Sequence, residues 1–396
     1  MNIVVQKFGG TSVATQQRRE IVTDRIIDAL KKGNSPVVVV SAIGRKGDPY
    51  ATDTLLSLIN NGDCCIDKRE QDLLMSCGEI ISAVVMAETL EKRGYSVRVL
   101  TGGQAGIITN ANYTDAEILR VDTSRITSLI SSGIIPIITG FQGMTEDGDI
   151  TTLGRGASDL TAAILGEALK ASEIQIYTDV DGIMTADPRI VPDAKVIDYI
   201  SYNEVFQLAD YGAKVIHPRA VECAMRGNIP VLIKNILTDA PGTIISSAKH
   251  YTDRVITGIT HMENRTQISM HFDKEQEEYS DRVFDILAEN SISIDLINVF
   301  PGYKVFTVSG RDTEKTVQLL KSEGYNYSII KGCSKIALIG NGMVGVPGVM
   351  AKILCTLNSN GIKVLQTADS HTTIWCLVNG EDTITAINAL HKVFEM

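Results

Sequence analysis

Short runs dense in valine and isoleucine recur through the first 245 or so residues. Between them lie longer stretches whose apolar positions return every three or four residues. The short runs predict strands at Asn2–Lys7, Pro36–Ser41, Ser96–Leu100, Ile134–Gly140, Glu173–Asp179 and Pro230–Lys234. They are apolar on both faces, as strands covered on both sides are. The longer stretches predict helices at Arg18–Lys32, Lys68–Arg93, Asp159–Leu169 and Tyr202–Tyr211. This alternation implies an α/β layered domain around a largely parallel sheet.

The last 140 or so residues follow a different pattern, an internal repeat at a constant offset of 70. Ile292 falls on Ile362, Gly310 on Gly380, Asp312 on Asp382, Thr313 on Thr383 and Leu320 on Leu390. Each copy reads strand, helix, strand, strand, helix, the beginning of a βαββαβ module. The Pro-Gly and Ser-Ser stretch Ala240–Thr252 marks the junction. The boundaries expected are therefore 1–245, 253–332 and 333–396.

Composition narrows the class of protein without choosing a function. The chain has 396 residues, 44% of them hydrophobic and 21% charged, as in ordinary folded proteins. A net charge of −10 argues against a general nucleic-acid binder and requires any anionic substrate to have a locally basic pocket. No apolar run approaches the length of a membrane span, and the amino terminus starts as a strand rather than a signal peptide. A cytoplasmic location is the default expectation. The seven cysteines include no C-x-x-C and the six histidines no H-x-x-x-H. Reduced thiols and no structural metal are expected.

Four glycine-bearing clusters stand out. Lys7-Phe8-Gly9-Gly10-Thr11-Ser12 puts a cation and a glycine pair at a strand end, where backbone N–H groups can approach phosphate. By itself it is equally a plain strand–turn–helix link. Gly154-Arg155-Gly156-Ala157-Ser158-Asp159 runs into a helix start, so an arginine fork converges with free helical N–H groups. The alternative is a simple N-cap with a solvated arginine. Tyr177-Thr178-Asp179-Val180-Asp181-Gly182, continuing to Arg189, reads alone as a loop at a sheet edge. Tyr211-Gly212-Ala213-Lys214-Val215-Ile216-His217-Pro218-Arg219 places Lys214 ahead of a helix opened by Pro218, with His217 as a capping or packed residue. Two quieter stretches are Ser41-Ala42-Ile43-Gly44, with Thr52-Asp53 beyond, and Cys77-Gly78-Glu79. Glu79 is a carboxylate on a helix that is otherwise apolar. Such a group is costly to bury unless paired, and a ligand amine is a suitable partner.

Taken in order, K-F-G-G-T-S, G-R-G-x-S-D, T-D-V-D-G-x-x-T-A-D-P-R and Y-G-A-K-V-I-H-P-R resemble aspartokinase, over essentially the whole chain and closest to the short Gram-positive type. The resemblance implies a three-layer amino-acid kinase domain followed by two α+β, ferredoxin-like ACT modules. It implies ATP with Mg²⁺ and L-aspartate as substrates, and 4-phospho-L-aspartate and ADP as products. That reaction opens the pathway to diaminopimelate and lysine, threonine and methionine. The nucleotide positions carried over are Lys7, Phe8, Gly9, Gly10, Ser41, Thr178, Asp179, Met184, Arg189 and Lys214. Those for aspartate are Thr52, Glu79, Arg155, Gly156, Ser158 and Asp159, with the arginine on the α-carboxylate and Glu79 on the amine. Lys7, Asp159 and Lys214 are the implied catalytic set. Ala157 replaces a customary glycine, and Met184 a tyrosine that packs beside the nucleotide. The modules imply feedback by diaminopimelate, lysine or threonine, and a homodimer or higher oligomer formed through them. Asp295, Asn298, Met343 and Val344 are the implied effector positions. Pro347-Gly348 fits the second module, whereas the first has Glu277-Glu278 there.

The acceptor carboxylate is already ionised at neutral pH, so no general base is needed. Several cations without a His–acid pair suit such a transfer. Glutamate or acetylglutamate as acceptor, or an amino-acid sensor without activity, are the rival readings. A sensor had no need to keep Lys7, Gly9, Gly10 and Lys214. A dinucleotide-binding reading fails because no G-x-G-x-x-G follows the first strand.

Overall fold

The structure, a computed structural model, describes residues 2–396 except 60–65, 155, 213–215, 248–253, 274–279 and 344. The chain divides into two compact units. The first comprises Met1–Ile183, Val196–Ala209 and Lys214–Tyr251, and the second Met184–Lys195, Asp210–Ala213 and Thr252–Met396.

In the first unit, β1 (Asn2–Phe8) leads through α1 (Gln16–Lys31) to β2 (Asn34–Val40). Next come α2 (Thr52–Ser57), α3 (Lys68–Lys92), β3 (Val97–Leu100), β4 (Ile107–Thr109), β5 (Ile118–Val121), α4 (Ser124–Ser131) and β6 (Ile135–Thr139). They are followed by β7 (Gln142–Met144), β8 (Ile150–Thr152), α5 (Ser158–Leu169), β9 (Glu173–Thr178), β10 (Tyr199–Ser201), α6 (Tyr202–Asp210), α7 (Pro218–Gly227), β11 (Val231–Asn235) and β12 (Thr243–Ser246). The main sheet has the order β10-β12-β11-β9-β1-β2-β6-β3 and is parallel except for the β11/β12 pair. Six of its eight strands, β1, β2, β3, β6, β9 and β11, are those predicted from valine and isoleucine density, and β10 and β12 were not predicted. A small sheet, β5-β4-β7-β8, was not predicted. Its strands have three or four residues, too few to show a period.

Helix α3 is long and apolar enough, by length and composition, to cross a membrane. The sequence reading had admitted no such run. In the fold α3 lies against the sheet and buries polar residues, including Asp72 and Glu79. Asp72 is fully buried and accepts the Thr114 N–H (2.9 Å), the Thr152 N–H (2.8 Å) and the Thr152 hydroxyl (2.7 Å). It ties α3 to β8 and holds Thr114 in a left-handed backbone conformation (φ 74°). Replacing Asp72 with alanine orphans three buried donors and should cost about 3 kcal/mol or more. A fall in the urea midpoint measures this, and an unchanged midpoint would refute it.

In the second unit, β13 (Gly258–His271), α8 (Arg282–Glu289), β14 (Ile294–Phe300), β15 (Tyr303–Ser309) and α9 (Thr313–Ser322) form one module. Then β16 (Tyr327–Ile339), α10 (Val349–Ser359), β17 (Gln366–Asp369), β18 (Thr373–Asn379) and α11 (Thr383–Val393) repeat it. Strands β15 and β18 begin and end 70 residues apart, as the sequence repeat requires. The first strands are offset by 68 instead, because Arg265 faces Ser309 while Cys333 faces Asn379. The sheet order β14-β15-β13-β16-β18-β17 is symmetric about the long β13/β16 pair. The two strands pair with each other along nearly their whole length, and one half of each also pairs within its own module, β13 with β15 over Arg265–His271 and β16 with β18 over Cys333–Ile339. The core of the second module centres on Ile336, Leu338, Ile353, Leu357 and Leu390, and that of the first on Ile268, Met270, Phe306 and Val308.

Candidate active site

The carboxyl ends of β1, β2 and β9 adjoin in a parallel sheet, the edge at which α/β folds bind ligands. Lys7 is the last residue but one of β1, and its Nζ lies 2.7 Å from Asp159 Oδ1 at the start of α5. Both side chains are only 12–13% exposed, so the pair is largely shielded from water. Phe8 points the other way. It is fully buried and stacks on Tyr177 with ring centres 4.9 Å apart, so only its backbone is left to face a ligand.

The glycine pair has a steric reason. A Cβ on Gly10 would lie 2.4 Å from the Ala42 carbonyl oxygen and 2.6 Å from that of Gly44, so a side chain there forces backbone apart. The Gly10 carbonyl accepts the Gly44 N–H (3.0 Å), which fastens the 41–51 loop to it. Gly78 acts similarly on α3, since a Cβ there would meet the Tyr50 carbonyl oxygen at 2.8 Å and Ala42 Cβ at 2.9 Å. Helix and loop thus touch, and the next residue, Glu79, reaches the Ala42 N–H (3.2 Å).

A cavity of 490 Å³ opens here. Of the residues singled out in the sequence, Gly10, Ser41, Thr52, Glu79, Gly156 and Ser158 line it together. Glu79 is 3% exposed and its Oε2 has no hydrogen-bond partner in the protein. Burial raises its pKa to about 8, only partly offset by the hydrogen bonds it accepts. The amino end of α5 lines the same cavity, and its N-cap, Ala157, makes no side-chain cap bond. Unsatisfied N–H groups and the helix dipole favour an anion at such an end. Gly156 has φ 81°, a backbone open to glycine.

Other predicted positions fall elsewhere. Arg155, Lys214 and Val344 lie outside the described residues, as do Glu277 and Glu278. Gly9 keeps its Cβ position 3.7 Å from Lys7 Nζ. Thr178 ends β9, and Asp179 pairs with Arg45 (2.5 Å). Met184 and Arg189 belong to the second unit, where Arg189 forks onto Asp187 and is largely exposed. His217 caps α7, its Nδ1 accepting the Arg219 N–H. In the second unit Asp295 holds Lys335 Nζ (2.6 Å), and Asn298 accepts from Gln366 (2.7 Å). Met343 is buried in the second module's core.

Phe141 lines the cavity too, as do Arg45, Lys46 and Lys68, which sequence reasoning did not assign. Phe141 carried one readable signal, its place in a Gly-Phe-Gln-Gly stretch. Its positive φ (71°) appears only in the fold. Arg45 and Lys46 follow Gly44 directly, but nothing local shows that this loop folds back over the glycine pair. Among the described residues no group of three or more His, Cys, Asp or Glu is placed to hold a metal ion.

Residues 2–235 match the amino acid kinase family, and residues 328–392 match the ACT domain. Aspartokinase 1 of Bacillus subtilis is 45% identical, with both chains covered in full. The aspartokinase of Geobacillus stearothermophilus is 37% identical over all of this chain and 97% of its own. Among solved structures, E. coli aspartokinase III in complex with aspartate and ADP superimposes with a TM-score of 0.80, at 27% identity over the full length of both chains. The chain belongs to the amino acid kinase family and, within it, to the aspartokinases.

Proposed function

We propose that this chain transfers the terminal phosphoryl group of ATP to the side-chain carboxylate of L-aspartate, forming 4-phospho-L-aspartate and ADP. One observation carries the choice of substrate. Glu79 is a buried carboxylate with an unused oxygen inside a cavity that is also lined by a helix start without a side-chain cap. That arrangement suits a molecule with an ammonium at one end and a carboxylate at the other. In the transfer, a carboxylate oxygen of the substrate forms the new bond to phosphorus while the bond to the bridging oxygen of ADP breaks. No proton need be removed, because the acceptor is ionised at neutral pH. The work is positioning and charge neutralisation, for which Lys7 and Lys214 are the cations on the nucleotide side.

Magnesium belongs to the nucleotide in this reading, neutralising charge on its phosphates. The acidic residues beside Lys7 and after β9 are otherwise engaged. Asp159 is paired with Lys7, Asp179 with Arg45, and Asp181 accepts from Asn235 and Thr238. Such a set suits a metal that arrives bound to phosphate and keeps its waters.

Residues 1–245 are read as the catalytic domain and 253–332 and 333–396 as regulatory modules, acting in the cytoplasm as a homodimer or larger assembly. The step opens the route to diaminopimelate and lysine, threonine and methionine, and one of these amino acids acts back through the modules. E. coli aspartokinase III has been solved with lysine and aspartate bound, which supports lysine as a candidate. Asp295 and Asn298, with Met343 and Val344, remain the proposed effector positions.

ATP-dependent acyl-hydroxamate formation tests the reaction against aspartate, glutamate and acetylglutamate, with lysine, threonine and diaminopimelate added in turn. Product from aspartate alone is the expected result, and product from glutamate alone overturns the reading. Arg155→Ala should raise KM for aspartate by about tenfold or more, since a bidentate carboxylate contact is lost. An unchanged aspartate KM in that variant removes Arg155 from the site.

A further inference from the structure

Arg45 has no role in the fold that requires its charge. Its loop is held by backbone and short side chains. The Gly44 N–H bonds to the Gly10 carbonyl (3.0 Å), the Arg45 N–H to the Asp48 carboxylate (2.7 Å), and the Gly47 N–H to the Thr54 hydroxyl (3.1 Å). The guanidinium instead leaves the loop and meets Asp179, one residue past β9. In the sheet order β9-β1-β2, this ion pair passes across the carboxyl end of β1, the strand that carries Lys7. Its side chains are 69% and 42% exposed. Exposed pairs of this kind contribute little to stability and are given up easily to a stronger anion.

Position and chemistry name that anion. Glu79 marks the amine end of the cavity on the β2 side, through its bond to Ala42. The Arg45–Asp179 pair reaches to the β9 side, beyond Lys7. Beside them lies Gly10, whose carbonyl accepts the Gly44 N–H (3.0 Å) and where a Cβ would collide with the Ala42 and Gly44 carbonyl oxygens of the Arg45 loop. Any phosphate drawn to Gly9 and Gly10 therefore arrives beside a planar guanidinium, the group best matched to two phosphate oxygens at once.

We propose that Arg45 is a phosphate-binding residue of this site, resting on Asp179 when the site is empty and transferring to the terminal phosphates of a nucleoside triphosphate when one binds. The proposal rests on the reading of the cavity as a phosphoryl-transfer site. It adds a cation that spans from the acceptor side to the nucleotide side and joins Lys7 over the transferring group. Asp179 then serves as the resting partner that keeps the guanidinium aimed across the mouth.

Calorimetric binding of a non-hydrolysable ATP analogue and of ADP, each with Mg²⁺ and without aspartate, tests it on the full chain. Arg45→Ala should weaken the ATP analogue about tenfold or more, the scale of one lost charge-assisted contact, and ADP by less. Arg45→Lys should recover part of the loss. The salt dependence of ATP-analogue binding should be shallower in Arg45→Ala, because one screened attraction is gone. An ATP-analogue affinity within about twofold of the parent chain overturns the proposal. So does a variant in which only the aspartate KM moves, since the cation would then serve the acceptor. Arg45 is exposed, and an unchanged thermal midpoint shows that the variants fold. The binding readout involves no aspartate, so a failure of the acceptor assignment appears in the hydroxamate assay and leaves this result standing.

Discussion

Replacing Lys7 with alanine should lower kcat by roughly 10²–10³-fold, the range seen when a preorganised electrostatic donor is removed from a reacting centre. Two anions must approach one another in this reaction, and Lys7 stands at the strand end they share. Its environment amplifies the effect. The ammonium is mostly shielded from water and held 2.7 Å from Asp159, so little reorganisation is needed when charge develops nearby. The substitution has a second consequence, because it leaves Asp159 as an unpaired, mostly buried carboxylate, which destabilises. The double variant Lys7→Ala, Asp159→Asn separates the two. It relieves the stranded charge, so the thermal midpoint should return toward that of the parent while kcat stays low. Recovery of turnover in the double variant would reduce Lys7 to a counter-ion for Asp159 and sink its assignment to phosphate.

Glu79→Gln should raise KM for aspartate by roughly 10²-fold or more, because a buried carboxylate–ammonium contact is worth about 3 kcal/mol or more. The amide keeps the shape and removes the charge, so folding is preserved. The pH dependence is equally diagnostic. Burial lifts the Glu79 pKa to about 8, so the carboxyl is mostly protonated in the empty site at neutral pH. The substrate ammonium requires the ionised form. Aspartate binding must therefore expel a proton below pH 8, and the aspartate KM should fall as pH rises from 6 toward 8 and then level off. Stability moves oppositely. The folded pKa is raised above the unfolded value of 4.5, so the folded chain binds the proton more tightly. This group's contribution is complete below about pH 4.5 and is lost as pH climbs through 8. Isothermal calorimetry in two buffers of different ionisation enthalpy counts the released proton. No proton release at pH 7, or an aspartate KM in Glu79→Gln equal to that of the parent, would remove Glu79 from the amine site.

These two residues differ in how far the sequence exposed them. Lys7 was readable as a cation beside a glycine pair, but its tie to Asp159 was not, since the two are brought together only when α5 packs beside β1. Glu79 was readable as a carboxylate on an apolar helix in need of a partner. That one of its oxygens is left without a bond in the protein depends on how the Ala42 loop lies over Gly78. Phe8 shows the opposite case. Its place in the motif pointed to the ligand, while strand alternation sends its ring into the core against Tyr177.

By itself the sequence determined the order of the six main strands and of helices α1, α3, α5 and α6, the tandem modules and the grouping of glycines with cations. All of these are local or periodic, and each can be counted along the chain. The 70-residue offset is a further example, legible because β15 and its copy β18 both have seven residues and lead into helices, α9 and α11, that start at Thr313 and Thr383. Tertiary structure alone decided which charges meet. Arg45 finds Asp179, Lys7 finds Asp159, and Asp295 finds a buried Lys335. The small sheet β5-β4-β7-β8 and the interleaving of Met184–Lys195 and Asp210–Ala213 into the second unit are of the same kind. The reason is physical. A local pattern sets what each segment prefers, whereas ion pairing and burial depend on neighbours that strand order places side by side from distant parts of the chain.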